Sequence, residues 1–276
     1  MTAICKIAFL LFVSTITLTA QNNSDNINLH YGNDRQQNLD LFLPESYNTE
    51  TPVLIMLHGG AWSLGGKEYT DKTSKDLRDR GIIVANVDYR YVSETINATH
   101  LLQDIDDAVS YLQSISKEKG FNANKISIAG VSAGAHLALL YGYNTTKRNI
   151  TSISALCAPS KFDDPSVYAH IQKLGLVKII SLLADDVYSA NNKGKKISDI
   201  SPYNKVSNVP TLLVHGTNDD LVDYQQSVDL YNKLQNNKIK SKLVTMQGDG
   251  HDAGMNQPES EKKVLDEIYN WIKIHK

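Results

Sequence analysis

Cysteine is almost missing from this 276-residue chain, which has only Cys5 and Cys157. If the first leaves with an N-terminal leader, no internal disulfide can form and the fold must rest on its core. Charge of one sign is also missing. With 28 Lys and Arg against 30 Asp and Glu, the formal net charge is -2. A nucleic-acid or anionic-membrane partner would call for a basic surplus that is not there. No H-E-x-x-H, no Cys/His cluster and no G-x-G-x-x-G after a strand occurs, so neither a metal nor a nucleotide cofactor is expected. There is no internal repeat, and no linker long enough to divide the chain.

Long hydrophobic runs are lacking too. Ile7 to Val13 is unbroken, with Lys6 before it and Thr17-Leu18-Thr19-Ala20 after it. That run is too short for a span of roughly 20 residues. A basic start, a short apolar stretch and small residues at its end read as a signal peptide, residues 1–20, cleaved after Ala20. The protein is then secreted or periplasmic, begins at Gln21, and carries a mature charge of -3 once Lys6 is gone. Cys157 ends the apolar run from Ile153 and reads as a small buried hydrophobe.

Strand periods and helix periods alternate through the rest. Apolar or alternating segments at Leu39 to Leu43, Val53 to Leu57, Ile82 to Val87, Lys125 to Ala129, Ser152 to Cys157, Thr211 to Val214 and Lys242 to Met246 predict strands. Helices are predicted around Asp71 to Arg80, Leu101 to Leu112, Ala133 to Tyr143, Gln225 to Gln235 and Glu259 to Ile274. In the second of these, Asp104, Asp106 and Asp107 are expected to face away from the apolar stripe. Asn22 to Asn28 is polar and reads as an irregular start. The alternation predicts a mostly parallel sheet with helices on both faces, in one domain over residues 21–276. Residues 160–204 are too long for a simple connection and predict a cap-like insertion over the carboxyl edge of the sheet. The lysines at 193, 195 and 196 within it read as a solvated face.

The chemistry concentrates at the ends of those strands. Gly130-Val131-Ser132-Ala133-Gly134 follows one strand and opens a helix, the context that turns a weak G-x-S-x-G match into a nucleophile elbow. A serine needs a base that is itself oriented by a third group. The order Ser, acid, His is met by Ser132, Asp219 after the strand at 211, and His251 in the loop Gly248 to His251. Asp220, Asp249 and Asp252 are nearby rivals for the acid, and Asp223 suits a helix cap. His58-Gly59-Gly60-Ala61-Trp62 follows the first fully apolar strand. Backbone N–H groups of Gly60 and Ala61, with that of Ala133, are the expected oxyanion donors, and Trp62 the expected substrate contact. His58 and His136 read as structural.

These pieces resemble the esterases of the hormone-sensitive-lipase branch of the α/β-hydrolases. The likeness is greater to compact secreted members grouped with bacterial feruloyl and acetyl-xylan esterases. The matching segments are Leu39 to Pro44 (LDLFLP), HGGAW, Val87 to Tyr91 (VDYRY), GVSAG, His215 to Val222 (HGTNDDLV) and Gly250-His251. The resemblance implies an α/β-hydrolase fold with an eight-stranded sheet, no cofactor, and esters of short acyl or hydroxycinnamoyl groups, small or carbohydrate-linked, as substrates. Ala61 stands where many relatives have a third glycine. An arylformamidase-like amide hydrolase and a non-catalytic binding protein on the same fold remain as alternatives, and oligomeric state is left open.

Overall fold

The computed structural model describes residues 26–145, 149–191 and 194–276. The expected signal peptide and Lys193 lie outside the described residues. Eight strands form one sheet: β1 (Asn26–His30), β2 (Asn38–Phe42), β3 (Val53–Leu57), β4 (Ile83–Val87), β5 (Lys125–Val131), β6 (Asn149–Leu156), β7 (Thr211–Gly216) and β8 (Ser241–Met246). Their spatial order is β1-β2-β4-β3-β5-β6-β7-β8. The pairs β1/β2 and β2/β4 are antiparallel, and every other pair is parallel. Strands β2 to β4 and β7 are buried at every position, as a sheet covered on both faces requires.

The main helices are α1 (Asp71–Asp79), α2 (Ala98–Ser116), α3 (Ala133–Asn144), α4 (Pro165–Lys173), α5 (Val177–Ala184), α6 (Lys195–Asp199), α7 (Gln225–Asn236) and α8 (Pro258–Ile274). Alternate strand residues feed two cores. Leu39, Ile55 and Val87 face the layer that includes Leu101 of α2, Leu137 of α3 and Leu230 of α7. Phe42, Leu54 and Val84 face Leu77 of α1 and Ile268 of α8. Helices α4 to α6 occupy the segment between β6 and β7, where the sequence predicts an insertion.

Two expectations fail for the same reason: polar partners decided the structure. The start, read as irregular, continues as the edge strand β1. Its N–H of Asn28 donates to Asp40 Oδ1 at 2.7 Å, and Lys67 Nζ bonds Asn28 Oδ1 at 2.7 Å. Lys67, buried with Asp40 at 2.6 Å, ties this edge to the loop that follows β3. Asp104, expected to face away, is fully buried. Its carboxylate accepts the Arg90 guanidinium through Nη2 at 2.6 Å and Nε at 3.0 Å, and Gln37 Nε2 at 2.8 Å. A charge can be buried only when it is paired in this way.

A third polar link joins three parts of the chain. His136 in α3 is fully buried. Its Nδ1 accepts the indole N–H of Trp62 at 3.1 Å, so its proton sits on Nε2 and donates to the Ile200 carbonyl at 2.7 Å. Burial pushes this imidazole down to about 4. The unfolded chain then binds a proton near the ordinary value of 6.5 that the folded chain refuses until about pH 4. The stability contributed by neutral His136 is therefore complete above pH 6.5 and is lost as pH falls toward 4. In urea unfolding at pH 7, 5 and 4, the wild type is expected to lose more stability on acidification than His136→Gln. The excess is on the order of 3 kcal/mol at its fullest. Parallel losses in both proteins would show that His136 is not the titrating group.

Candidate active site

Four strand ends converge at the carboxyl edge of the sheet, the edge where parallel α/β sheets bind ligands. Strand β5 runs into α3 through Ser132, whose φ of +53° and ψ of -116° are unusual for a residue with a Cβ. The Ser132 N–H donates to the Leu156 carbonyl at 2.8 Å, and its carbonyl accepts the His136 N–H at 2.9 Å. The flanking glycines are required by contact. A Cβ on Gly130 would lie 2.4 Å from the Gly134 carbonyl, and one on Gly134 would lie 2.3 Å from the His58 carbonyl. The sharp turn and its glycines thus press the elbow against the end of β3.

The loop after β3 is shaped for unspent N–H groups. Gly60, Ala61 and Trp62 have consecutive positive φ of 122°, 47° and 57°. The Gly60 carbonyl turns back to accept the Ser63 and Leu64 N–H groups, both at 3.0 Å. Among the described residues, no acceptor receives the N–H of Gly60, Ala61 or Ala133. His58 braces this loop. Its Nδ1–H donates to the Gly59 carbonyl at 2.6 Å, its ring stacks on Tyr89 at 4.3 Å, and the Tyr89 hydroxyl donates to the His58 carbonyl at 2.7 Å. Burial pushes the His58 imidazole down, so a structural role is the one its surroundings favour. Trp62 lines the cavity beside Ser132, and its N–H is spent on His136.

Asp219 and His251 are brought together. The Asp219 carboxylate is fully buried, and its Oδ2 accepts His251 Nδ1–H at 2.8 Å. That bond leaves the bare nitrogen of a neutral His251 at Nε2. Oδ1 accepts the Leu221 and Val222 N–H groups, both at 2.9 Å. Burial alone would raise this carboxyl. The hydrogen bonds from His215, His251 and Val222 outweigh it and hold the group far below the usual carboxylate range. Three of the neighbouring acids are engaged elsewhere. Asp223 accepts the Gln225 N–H at the start of α7, Asp252 accepts the Gly254 N–H, and Asp249 faces Gln257 and Ser260.

Sequence reasoning missed His215. It lies on β7, fully buried, and its Nε2 is 3.0 Å from the same Asp219 oxygen that receives His251. Its Nε2 faces two acceptors, Asp219 Oδ2 and the Val222 carbonyl at 2.9 Å, so its proton sits there and its Nδ1 accepts the Ser227 hydroxyl at 2.7 Å. The one signal in the sequence is that His215 opens the segment leading to Asp219, four positions on; spacing alone does not show that it turns toward that carboxylate. Cys157 is more than a buried hydrophobe, because its thiol also reaches Asp219. Burial first, and the Asp219 carboxylate with it, push that thiol up and keep it protonated. Cys157, His215 and Asp219 offer ligand atoms within 4.8 Å of one another, the one such group among the described residues. The hydrogen bonds from His215 Nε2 and His251 Nδ1 both fall on Asp219 Oδ2 and occupy that oxygen.

Ser132, His251, Gly60 and Ala61 line one cavity of about 400 Å³. Among the described residues' hydrogen bonds, none joins Ser132 Oγ to His251. Such bonds are often long in unliganded sites and tighten when substrate arrives.

The chain is similar to several proteins named as esterases. The chain is 27% identical over 236 residues to the isoprenylcysteine alpha-carbonyl methylesterase ICME of Arabidopsis thaliana, covering 80% of this chain and 55% of that protein. It is 23% identical over 221 residues to Esterase LipC of Mycobacterium tuberculosis, covering 74% of this chain and 54% of that protein. The chain thus spans little more than half the length of these relatives. Among solved structures, a truncated form of a carbohydrate esterase from gut microbiota superposes with a TM-score of 0.75 at 20% identity, over 91% of this chain and 96% of that one. An inhibited esterase B from Lactobacillus rhamnosis gives 0.73 at 20% identity, over 91% and 87%. These likenesses establish the α/β-hydrolase fold. The BD-FAE family profile matches residues 39–234, and so the chain belongs to the BD-FAE family.

Proposed function

We propose that this protein is an exported serine carboxylesterase that works through an acyl-enzyme. The observation that carries the reading is the 2.8 Å bond from His251 to buried Asp219, at one cavity with a serine held in a strained elbow. Ser132 Oγ attacks the ester carbonyl carbon while His251 Nε2 takes the hydroxyl proton. Negative charge that develops on the carbonyl oxygen is received by the free N–H groups of Gly60, Ala61 and Ala133. The tetrahedral species collapses, the alcohol leaves with the proton from His251, and water then releases the acid by the same steps in reverse. Asp219 fixes the imidazole tautomer and stabilises the imidazolium.

Residues 1–20 act as a signal peptide in this reading, residues 21–276 form one hydrolase domain, and the helices between β6 and β7 cap the site. Short acyl or hydroxycinnamoyl esters, free or linked to carbohydrate, are the substrate class. Trp62 contributes to the cavity wall.

Hydrolysis of p-nitrophenyl acetate, butyrate and octanoate and of methyl ferulate tests the activity. Ser132→Ala is expected to lower kcat at least about 10⁴-fold on every ester turned over, and Asp219→Asn by about the same factor. Equal rates in wild type and Ser132→Ala would remove the serine from the reaction.

His215 acts as a positioning residue for Asp219. His215→Phe removes a hydrogen bond to a charged group and is expected to lower kcat about 10- to 100-fold with little change in KM. His215→Gln, which keeps a donor, should recover part of that loss. A thermal midpoint that falls while kcat stays fixed in both variants would leave His215 with a packing role alone.

A further inference from the structure

The cavity beside Ser132 has an unusual chemical balance. Phe162, Ile171, Leu174, Leu176 and Ile180, all from the segment between β6 and β7, form much of its wall. Among the described residues, no Asp, Glu, Lys or Arg lines it. Leu64 and Leu221, two of its lining residues, are 54% and 47% exposed, so the apolar surface continues outward from the cavity. Most polar side chains on the wall are already engaged. Thr70 donates to Asn86 at 2.7 Å, His170 bonds the Leu221 carbonyl at 3.2 Å, and Trp62 donates to His136.

Gln226 is different. It is 6% exposed and lines the same cavity. Its side-chain oxygen is identified by its partners, since it accepts two backbone N–H groups, from Ser160 at 2.9 Å and Lys161 at 3.2 Å. An oxygen so fixed leaves the amide NH₂ pointing the other way. Among the described residues that NH₂ has no acceptor, and it is not one of the buried polar atoms shut away without a partner. It is an open donor in a nearly buried side chain, held in place by its other end.

We propose that the cavity takes an uncharged group that is apolar except for one hydrogen-bond-accepting oxygen, which the Gln226 Nε2 amide receives. The inference rests on the esterase reading and narrows its substrate. Aliphatic carbon fills the wall of Leu, Ile and Phe, each buried methylene raising kcat/KM about fourfold, the equivalent of about 0.8 kcal/mol, until the space is full. A formal charge finds no partner and is excluded. A site built to donate one hydrogen bond rejects a group that leaves the donor unpaired more strongly than it rejects a change of one methylene.

The test uses matched esters in which one CH₂ is replaced by an ether oxygen. The first set pairs p-nitrophenyl hexanoate with its 3-, 4- and 5-oxa analogues. The second pairs heptyl acetate with 2-butoxyethyl acetate, placing the oxygen on the alcohol side. Each is run on wild type, Gln226→Glu and Gln226→Met. The glutamate variant keeps an acceptor for the two N–H groups and loses the donor; the methionine variant loses both. In at least one set an oxygen position should be favoured by wild type, with that preference over the all-carbon partner falling about tenfold in both variants. p-Nitrophenyl hydrogen adipate, with its terminal carboxylate, should be at least about 100-fold poorer than hexanoate. Oxa/carbon ratios that are the same in wild type and both variants at every position, or an adipate as good as hexanoate, overturn the proposal. Ser132→Ala separates the two ideas. Persistent turnover in that variant defeats the esterase mechanism, whereas its loss together with unchanged ratios defeats only the role of Gln226.

Discussion

Ser132 occupies φ +53°, ψ -116°, a region that costs a residue with a Cβ about 1–3 kcal/mol and persists only where the surroundings over-determine it. Here they do so from three sides. Strand β5 is held between β3 and β6, the serine N–H is tied to Leu156, and Gly134 lets α3 touch the end of β3. Any larger residue at 130 or 134 would drive helix and strand apart, because the close atoms are backbone and cannot yield. That contact also sets the Gly59–Ala61 loop beside the elbow, since a Cβ on Gly59 would meet the Ser132 Cβ at 3.4 Å. Ser132 and the free N–H groups are therefore placed by one packing constraint rather than by separate devices.

Around this turn the polar groups are organised to keep the side chains still. Asp219 gathers two imidazoles and two backbone N–H groups onto one buried carboxylate. His136 joins the loop carrying Trp62 to α3 and to the return of the inserted segment at Ile200, with Phe162 and Trp62 packed edge-on against its ring. Lys67 fastens the outer edge of the same loop to β1 and β2. Fixed dipoles of this kind stabilise developing charge without reorganising as it forms.

Much of this could be read from the chain alone. The runs at 53–57, 83–87 and 211–214 are buried at every position and apolar at all but Asn86 and Thr211, because both faces of those strands are covered, and such runs are hard to mistake when helical stripes separate them. Ser132, Asp219 and His251 were legible because each sits where a strand ends, in a fixed order. What escaped was decided by partners distant in sequence. β1 has little apolar pattern and exists because Asp40 and Lys67 satisfy Asn28. Asp104 looks like a surface acid until Arg90, 14 residues earlier, closes on it. His215 and Gln226 matter through the carboxylate and amide geometry around them, which no spacing reveals. The segment from 160 to 204 could be recognised as extra, but the apolar wall it builds over the cavity required the fold.

The central claim is that the elbow serine becomes covalently acylated. Reaction of the intact protein with an alkyl p-nitrophenyl phosphonate, followed by peptide mass spectrometry, reads this directly. The account predicts stoichiometric release of p-nitrophenol, a single phosphonyl adduct on the peptide containing Ser132, and no adduct in Asp219→Asn on the same time scale. An adduct on another residue, or equal labelling of Ser132→Ala, would contradict it.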